Sequence, residues 1–150
     1  MIPSDFDPSL ALRLARACRL AKEDGATIER QARDRYGFSF ARFYDSGYGP
    51  EAYVAGTDGE VVVVFRGTDR VKPDREDKNL PRIAKDWQKN LNYAPARGPF
   101  GGWVHAGLYR VLVDSEGRYT EFWSGILEAI DAFRDAFRGE TWCTGCSQGG

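Results

Sequence analysis

The chain has 150 residues, of which 42% are hydrophobic and 13% aromatic, and its formal net charge is -1. This composition predicts one globular domain with a real core over residues 1–150, and the balance of 21 basic and 22 acidic residues argues against nucleic-acid binding. The first residues lack the basic and apolar segments of a secretory signal, and no apolar run approaches the roughly 20 residues of a membrane span. Three cysteines are too few for a disulfide framework, so we expect a cytoplasmic protein without a transmembrane segment.

The first half of the sequence predicts two helices followed by three strands. Asp7 and Pro8 form an N-cap with proline in the first turn, and apolar residues at helical spacing continue to Gly25, where we expect the helix to end. A second helix is predicted over residues 27–35, closed by Gly37. Strands are predicted over residues 38–44, 51–56 and 60–65, with a hairpin turn before the last. That last strand contains four consecutive valines, which is typical of a strand buried on both faces.

The second half alternates helices and strands. Residues 70–86 are charged and loop-like, and residues 90–93 are predicted as a short strand before a turn rich in proline and glycine. Helical spacing begins at Val104. The last helix and strand are predicted over residues 119–137 and 141–144, separated by Gly139. This alternation predicts an α/β fold with a mixed central sheet and flanking helices.

The last six residues of the chain include G-C-S-Q-G at residues 145–149, which fits the G-x-S-x-G nucleophile elbow. In this motif the serine, here Ser147, occupies a tight turn between a strand and a helix, where its hydroxyl can attack a carbonyl. Alone the pattern is weakly specific, because the chain contains 17 glycines and a glycine-rich turn that happens to contain serine fits it equally well. The strand predicted directly before it supports the elbow interpretation.

Further motifs precede the elbow in a fixed order: F-R-G-T-D at residues 65–69, D-W at 86–87, N-L at 90–91 and V-H-A-G at 104–107. Together with T-G-C-S-Q-G-G at residues 144–150, this order resembles the class 3 (fungal-type) lipase family, and the resemblance spans roughly residues 51–150. It implies the α/β-hydrolase fold and the hydrolysis of carboxylic esters, such as acylglycerols, through an acyl-enzyme and without a cofactor.

The resemblance also implies three site residues. Ser147 corresponds to the nucleophile, and Thr68 to the residue whose hydroxyl and backbone N–H hold the oxyanion of the tetrahedral intermediate. The backbone N–H of Gln148, directly after the nucleophile, is the second oxyanion donor. Donors held at that point stabilise charge that appears only in the transition state. As a polar residue in a tight turn, Thr68 is also open to a purely structural interpretation.

His105 is the one histidine of the sequence, but we do not assign it as the catalytic base. In hydrolases with this elbow the chain order is serine, acid, histidine, and His105 precedes Ser147. Its V-H-x-G setting resembles a family position that is not the catalytic histidine, so we expect it to make a hydrogen bond near a helix start. Since no triad acid or histidine follows Ser147, we expect an incomplete domain, truncated after the elbow, with little turnover on its own.

The chain departs from the family pattern beside the nucleophile and in the lid. Cys146 stands where the family has histidine, and Gln148 where it has leucine. The region that corresponds to the lid, residues 70–86, is charged, whereas a lid that opens on lipid presents an apolar face. A hydrolase of small esters therefore fits at least as well as a true lipase.

Two other interpretations remain open. W-C-T-G-C at residues 142–146 has the form of a redox motif, in which Cys143 would lie at a helix N-terminus with a lowered pKa; two cysteines cannot complete a structural zinc site. The main alternative to a hydrolase is a non-catalytic relative that acts as a binding module. It predicts self-association through an uncovered sheet edge.

Overall fold

A computed structural model of the chain describes residues 7–47, 50–67, 95–98, 102–137 and 139–146. These residues form helices and a mixed β-sheet, which confirms the α/β class. The helices are α1 (Pro8–Leu20), α2 (Gly25–Tyr36), α3 (Ala106–Leu112) and α4 (Glu121–Phe137). The strands are β1 (Phe40–Asp45), β2 (Glu51–Thr57), β3 (Glu60–Phe65), β4 (Pro95–Arg97), β5 (Trp103–His105) and β6 (Glu140–Gly145). Within those ranges no helix has the length and apolar character that crossing a membrane requires.

Helix α1 begins where the sequence predicts. The Asp7 carboxylate accepts hydrogen bonds from the backbone N–H groups of Ser9 (2.8 Å) and Leu10 (3.2 Å), and Pro8 occupies the first turn. These bonds satisfy N–H groups that have no partner inside the helix. The apolar face of α1 is then free to pack on the sheet.

The prediction that Gly25 ends α1 is wrong, because α1 ends earlier and Gly25 is the first residue of α2. Asp24 caps α2 by accepting a hydrogen bond from the Thr27 N–H at 2.9 Å. A larger residue cannot replace Gly25 without rearrangement, since its Cβ would lie 2.6 Å from the Phe43 ring. Helix α2 closes as predicted at Gly37, whose φ of 73° is left-handed.

The larger sheet has the strand order β1-β2-β3-β6. Strand β2 runs antiparallel to both β1 and β3, and Asp58 and Gly59 form the turn between β2 and β3. Strand β6 pairs in parallel with β3. The connection between these two strands contains α4, as parallel pairing requires a long crossover. The sheet is therefore mixed, as expected.

Strand β3 is buried on both faces, which confirms the interpretation of its valine run. Val62 and Val64 belong to a core shared with α1 and α2, whereas Val61 and Val63 belong to a core shared with α4. Each of the four is at most 2% exposed. Helices thus cover both sides of the sheet at its centre, and this enclosure explains why polar residues do not alternate with the valines.

The segment before α3 differs from the prediction. It forms a two-stranded antiparallel sheet of β4 and β5, in which Val104 pairs with Ala96. The sequence predicts a turn here and helical spacing from Val104, but α3 begins only after His105. Strands of three residues are too short to show a period of two. The strand predicted over residues 90–93 lies outside the described residues.

Helix α4 begins at Glu121, two residues later than predicted. The Thr120 hydroxyl accepts a hydrogen bond from the Trp123 N–H at 3.3 Å, which is an N-cap interaction. The predicted first residue, Tyr119, instead forms an isolated β-bridge with Val113. The start of the helix is therefore set by the cap and not by the first aromatic residue of the apolar pattern.

Candidate active site

Two parallel strands end side by side at one edge of the sheet. In β3 and β6, Val64 pairs with Thr144 and Phe65 pairs with Gly145. Because the carboxyl ends of parallel strands lie at the same edge, the segments that follow β3 and β6 leave the sheet as neighbours. In open α/β sheets this edge is where ligands bind.

The predicted site residues follow these strand ends in the sequence. Thr68 comes shortly after β3, and Ser147 and Gln148 come directly after β6. All three lie outside the described residues, so their roles stay predictions. The structure describes the residues that lead to them, which are Arg66, Gly67 and Cys146.

Arg66, the first residue after β3, is held through its backbone and its side chain. Its N–H donates to the carbonyl oxygen of Glu51 at 2.9 Å, and its Nη1 donates to the Glu51 carboxylate at 2.7 Å. The guanidinium also donates to the carbonyl oxygens of Glu23 (3.2 Å) and Lys22 (3.4 Å) in the turn between α1 and α2. Arg66 therefore ties the end of β3 to the start of β2 and to the two N-terminal helices.

Glu51 is the one buried charged residue in the described part of the chain. Its side chain is 3% exposed and that of Arg66 is 14% exposed. Removing one partner of such a buried pair typically costs about 3–5 kcal/mol, because the other charge is left uncompensated. The pair is therefore buried as a unit, in which each charge compensates the other.

Sequence reasoning missed this pair, although the sequence contains the signal. From the sequence alone, Glu51 is the first residue of a strand and Arg66 is a motif residue. A two-residue turn at Asp58 and Gly59 fixes the register of β2 on β3. Extending that register beyond the last pair, Ala52 with Phe65, brings Glu51 opposite Arg66.

The end of β6 is held by α1. The Cys18 Sγ lies 3.1 Å from the Thr144 Oγ1, within hydrogen-bond distance for sulfur. Trp142 packs against the core that the sheet shares with α1 and α2. One residue before Cys18, the Ala17 carbonyl oxygen accepts a hydrogen bond of 2.8 Å from the buried Tyr53 hydroxyl. The carboxyl half of α1 is thus fixed to the sheet and in turn contacts the strand that leads to Ser147.

The last side chain of β3 packs on the other face of the sheet. The Phe65 ring lies against Trp123 of α4, with 6.2 Å between ring centroids and a tilt of 31°. Tilted aromatic pairs at this distance are favourable. Helix α4 therefore supports the edge at which β3 and β6 end.

His105 lies on the small two-stranded sheet, not on the sheet that leads to Ser147. It is the last residue of β5, where it pairs with Pro95, and α3 begins at the next residue. Its position next to a helix start agrees with the structural interpretation of the V-H-x-G motif.

The cysteines near the elbow do not fit the redox interpretation. Cys143 lies within β6 and not at a helix N-terminus. Cys143 is exposed, but partial desolvation of its sulfur raises the pKa of its thiol, whereas a redox nucleophile needs a lowered pKa. In the ranges that the structure describes, no group of three or more His, Cys, Asp or Glu residues is arranged to hold a metal ion.

An open cleft of about 480 Å³ lies at the opposite end of these strands. Its lining includes Glu60 and Glu140, the first residues of β3 and β6. Arg13 of α1 reaches into it and forms an ion pair with Glu60 at 3.0 Å. This cleft lies at the amino ends of the strands, whereas Ser147 follows the carboxyl end of β6 in the sequence.

Comparison of the chain with protein-family models, with curated proteins and with solved structures gave no match.

Proposed function

We propose that this chain carries the nucleophile and the oxyanion-hole donors of a lipase-like serine hydrolase that cleaves carboxylic esters, on a sheet of the α/β-hydrolase kind. The observation that carries the proposal is the parallel pairing of β3 with β6 up to their carboxyl ends. It supports the proposal because the F-R-G-T and G-C-S-Q-G motifs, far apart in the sequence, follow neighbouring strand ends.

The proposed reaction is a two-step acyl transfer. The Ser147 hydroxyl attacks the ester carbonyl carbon while a general base takes its proton. The carbonyl oxygen becomes an oxyanion that accepts hydrogen bonds from Thr68 and from the Gln148 N–H. When the intermediate collapses, the alcohol leaves with the proton from the base, and an acyl-enzyme remains on Ser147.

Water then completes the cycle. It gives a proton to the base and attacks the acyl carbonyl, and the acid leaves as the serine hydroxyl is restored. His105 is not assigned as the base in this scheme. For the substrate, the charged segment 70–86 favours small esters at least as much as lipid-water interfaces.

The test uses the product of the complete reading frame that contains this chain. Ester hydrolysis is measured with p-nitrophenyl esters from acetate to palmitate, and a fluorophosphonate probe is used to label the nucleophile. We expect hydrolysis that falls with acyl length, with the label on Ser147, and we expect S147A to abolish both.

The matched control is Ser115→Ala, since Ser115 is an exposed serine in the turn before α4. This variant is expected to keep full activity. Hydrolysis that survives S147A, or a folded parent protein with neither hydrolysis nor labelling, would show that the proposal is wrong.

A binding module that pairs with a second copy is the other candidate, and one observation favours it. Among the described strands β6 is at the edge of its sheet, and Thr141 and Cys143 on it are exposed. The outer N–H and C=O groups of an edge strand can pair with a strand of another chain. Dimerisation in sedimentation experiments that Thr141→Lys weakens, in a protein without esterase activity, would support this candidate.

A further inference from the structure

The exit of β3 is held by more than strand pairing. We propose that the Glu51–Arg66 ion pair is a positioning element that fixes Arg66 and Gly67, the two residues directly before the proposed oxyanion donor Thr68. This inference rests on the proposed function. It assigns a role to two residues that take no part in the reaction itself.

The contacts of Arg66 leave it little freedom. Its backbone N–H and its guanidinium both bind Glu51, at 2.9 and 2.7 Å, and the guanidinium also binds carbonyl oxygens of the α1–α2 turn. The next residue, Gly67, is half-buried and has no side chain that could hold it. The place of Gly67 therefore depends on Arg66.

Stability alone is a weak reason for such a pair. A buried ion pair is often no more stabilising than apolar residues of similar volume, because both charges must be desolvated. What the pair supplies is direction, since the planar guanidinium binds its partners in a fixed fork. An oxyanion donor needs that direction, because a site must be held to within about 0.5 Å of its productive geometry.

The same part of the chain also contacts the other strand end. The carbonyl oxygens bound by Arg66 belong to the turn that follows α1, and Cys18 of α1 contacts Thr144 near the end of β6. The end of α1 and the turn after it thus contact the ends of both β3 and β6.

The experiment compares E51Q and R66K with the parent product of the complete reading frame. Glutamine keeps the shape of Glu51 without its charge, and lysine keeps the charge of Arg66 without its fork. We expect each variant to lower kcat on p-nitrophenyl butyrate about 10- to 100-fold, as misplaced catalytic groups do, with KM changed by less than about twofold. We also expect the ¹⁵N order parameter of Gly67 to fall from about 0.85 toward 0.6, while those of Val61 and Val63 stay unchanged.

The matched control is Glu60→Gln. It removes the ion pair of Glu60 with Arg13, which joins α1 to β3 at the end of the strand opposite Arg66. This control is expected to leave kcat and the Gly67 order parameter at parent values. Equal losses of kcat in E60Q and E51Q would overturn the positioning role, as would loss of folding in both E51Q and R66K.

The two proposals fail in different ways. If the parent protein folds but shows no Ser147-dependent ester hydrolysis, the proposed function is wrong, and the proposed role of the pair in catalysis is wrong with it. A parent with that activity, together with E51Q and R66K variants that keep kcat and the Gly67 order parameter, refutes the positioning role alone.

Discussion

Gly139 lies directly against the backbone of Gly59, in the turn between β2 and β3, with no room for a side chain. The next residue, Glu140, donates its N–H to the Gly59 carbonyl oxygen at 3.2 Å and pairs with Glu60 at the start of β3. This contact brings β6 into register with β3 from their first residues. The same register pairs Phe65 with Gly145 at the other end of the two strands.

We expect Gly139→Ala to lower the free energy of unfolding by about 1–3 kcal/mol, because the added methyl group must displace backbone. Gly59→Ala is the matched control, since a Cβ at Gly59 meets nothing within 4 Å, and it should change stability by less than about 0.5 kcal/mol. Urea denaturation followed by circular dichroism measures both. Equal effects would mean that the contact does not restrict residue 139.

Burial of β3 on both faces predicts that neighbouring valines are equally sensitive. Val62→Ala and Val63→Ala should each lower the free energy of unfolding by about 1.5–3 kcal/mol, because each side chain is fully inside a core. Val104→Ala, at a valine that is 37% exposed in β5, should cost less than either. If one face of β3 were solvated, either Val62→Ala or Val63→Ala would leave the free energy of unfolding unchanged.

The buried hydroxyl of Tyr53 predicts a stability loss at high pH. Burial raises the pKa of Tyr53 above its ordinary value of 10.0, so the neutral phenol stabilises the fold fully below pH 10, and this contribution declines as the pH rises toward the folded-state pKa. Tyr53→Phe should cost about 0.5–1.5 kcal/mol at neutral pH through the lost bond to the Ala17 carbonyl oxygen. Unfolding in urea between pH 7 and 11 tests both, and a parent and variant with the same alkaline decline would contradict the assignment.

The pKa of Cys143 predicts slow alkylation. Partial desolvation of the sulfur raises this pKa above its ordinary value of 9.0, and the thiolate is the form that reacts with iodoacetamide. In a Cys146→Ser background, the alkylation rate at Cys143 should reach half its maximum above pH 9, and at a higher pH than in the same protein unfolded in urea. Fast alkylation near neutral pH would instead restore the redox interpretation of W-C-T-G-C.

Local signals predicted the fold well where they act within a few residues. The sequence correctly predicts the Asp7 cap, the helix end at Gly37 and the burial of the valine run in β3, because each signal lies within its own segment. The prediction that Gly25 ends a helix is wrong, because a glycine is needed there to make room for the ring of Phe43 in β1.

The candidate site was predictable in its motifs but not in its supports. Cys18 and Thr144 meet only because α1 packs across β6, and nothing near either residue in the sequence indicates the other. Glu51 and Arg66 differ, because a hairpin register joins them. Counting outward from a short turn is therefore a way to find such pairs in advance.

The strand pairs of the larger sheet differ in how far apart their two strands lie in the sequence. Residues 7–67 contain α1, α2 and the strands β1 to β3 in succession. In contrast, β6 pairs with β3 over a long separation in the sequence, as the pair of Val61 with Thr141 shows. Closing a long loop costs entropy before any of its contacts form. We therefore expect β6 to join an N-terminal unit that has already folded. A chain interrupted before β6 would then fold in part and still lack the strand that leads to Ser147.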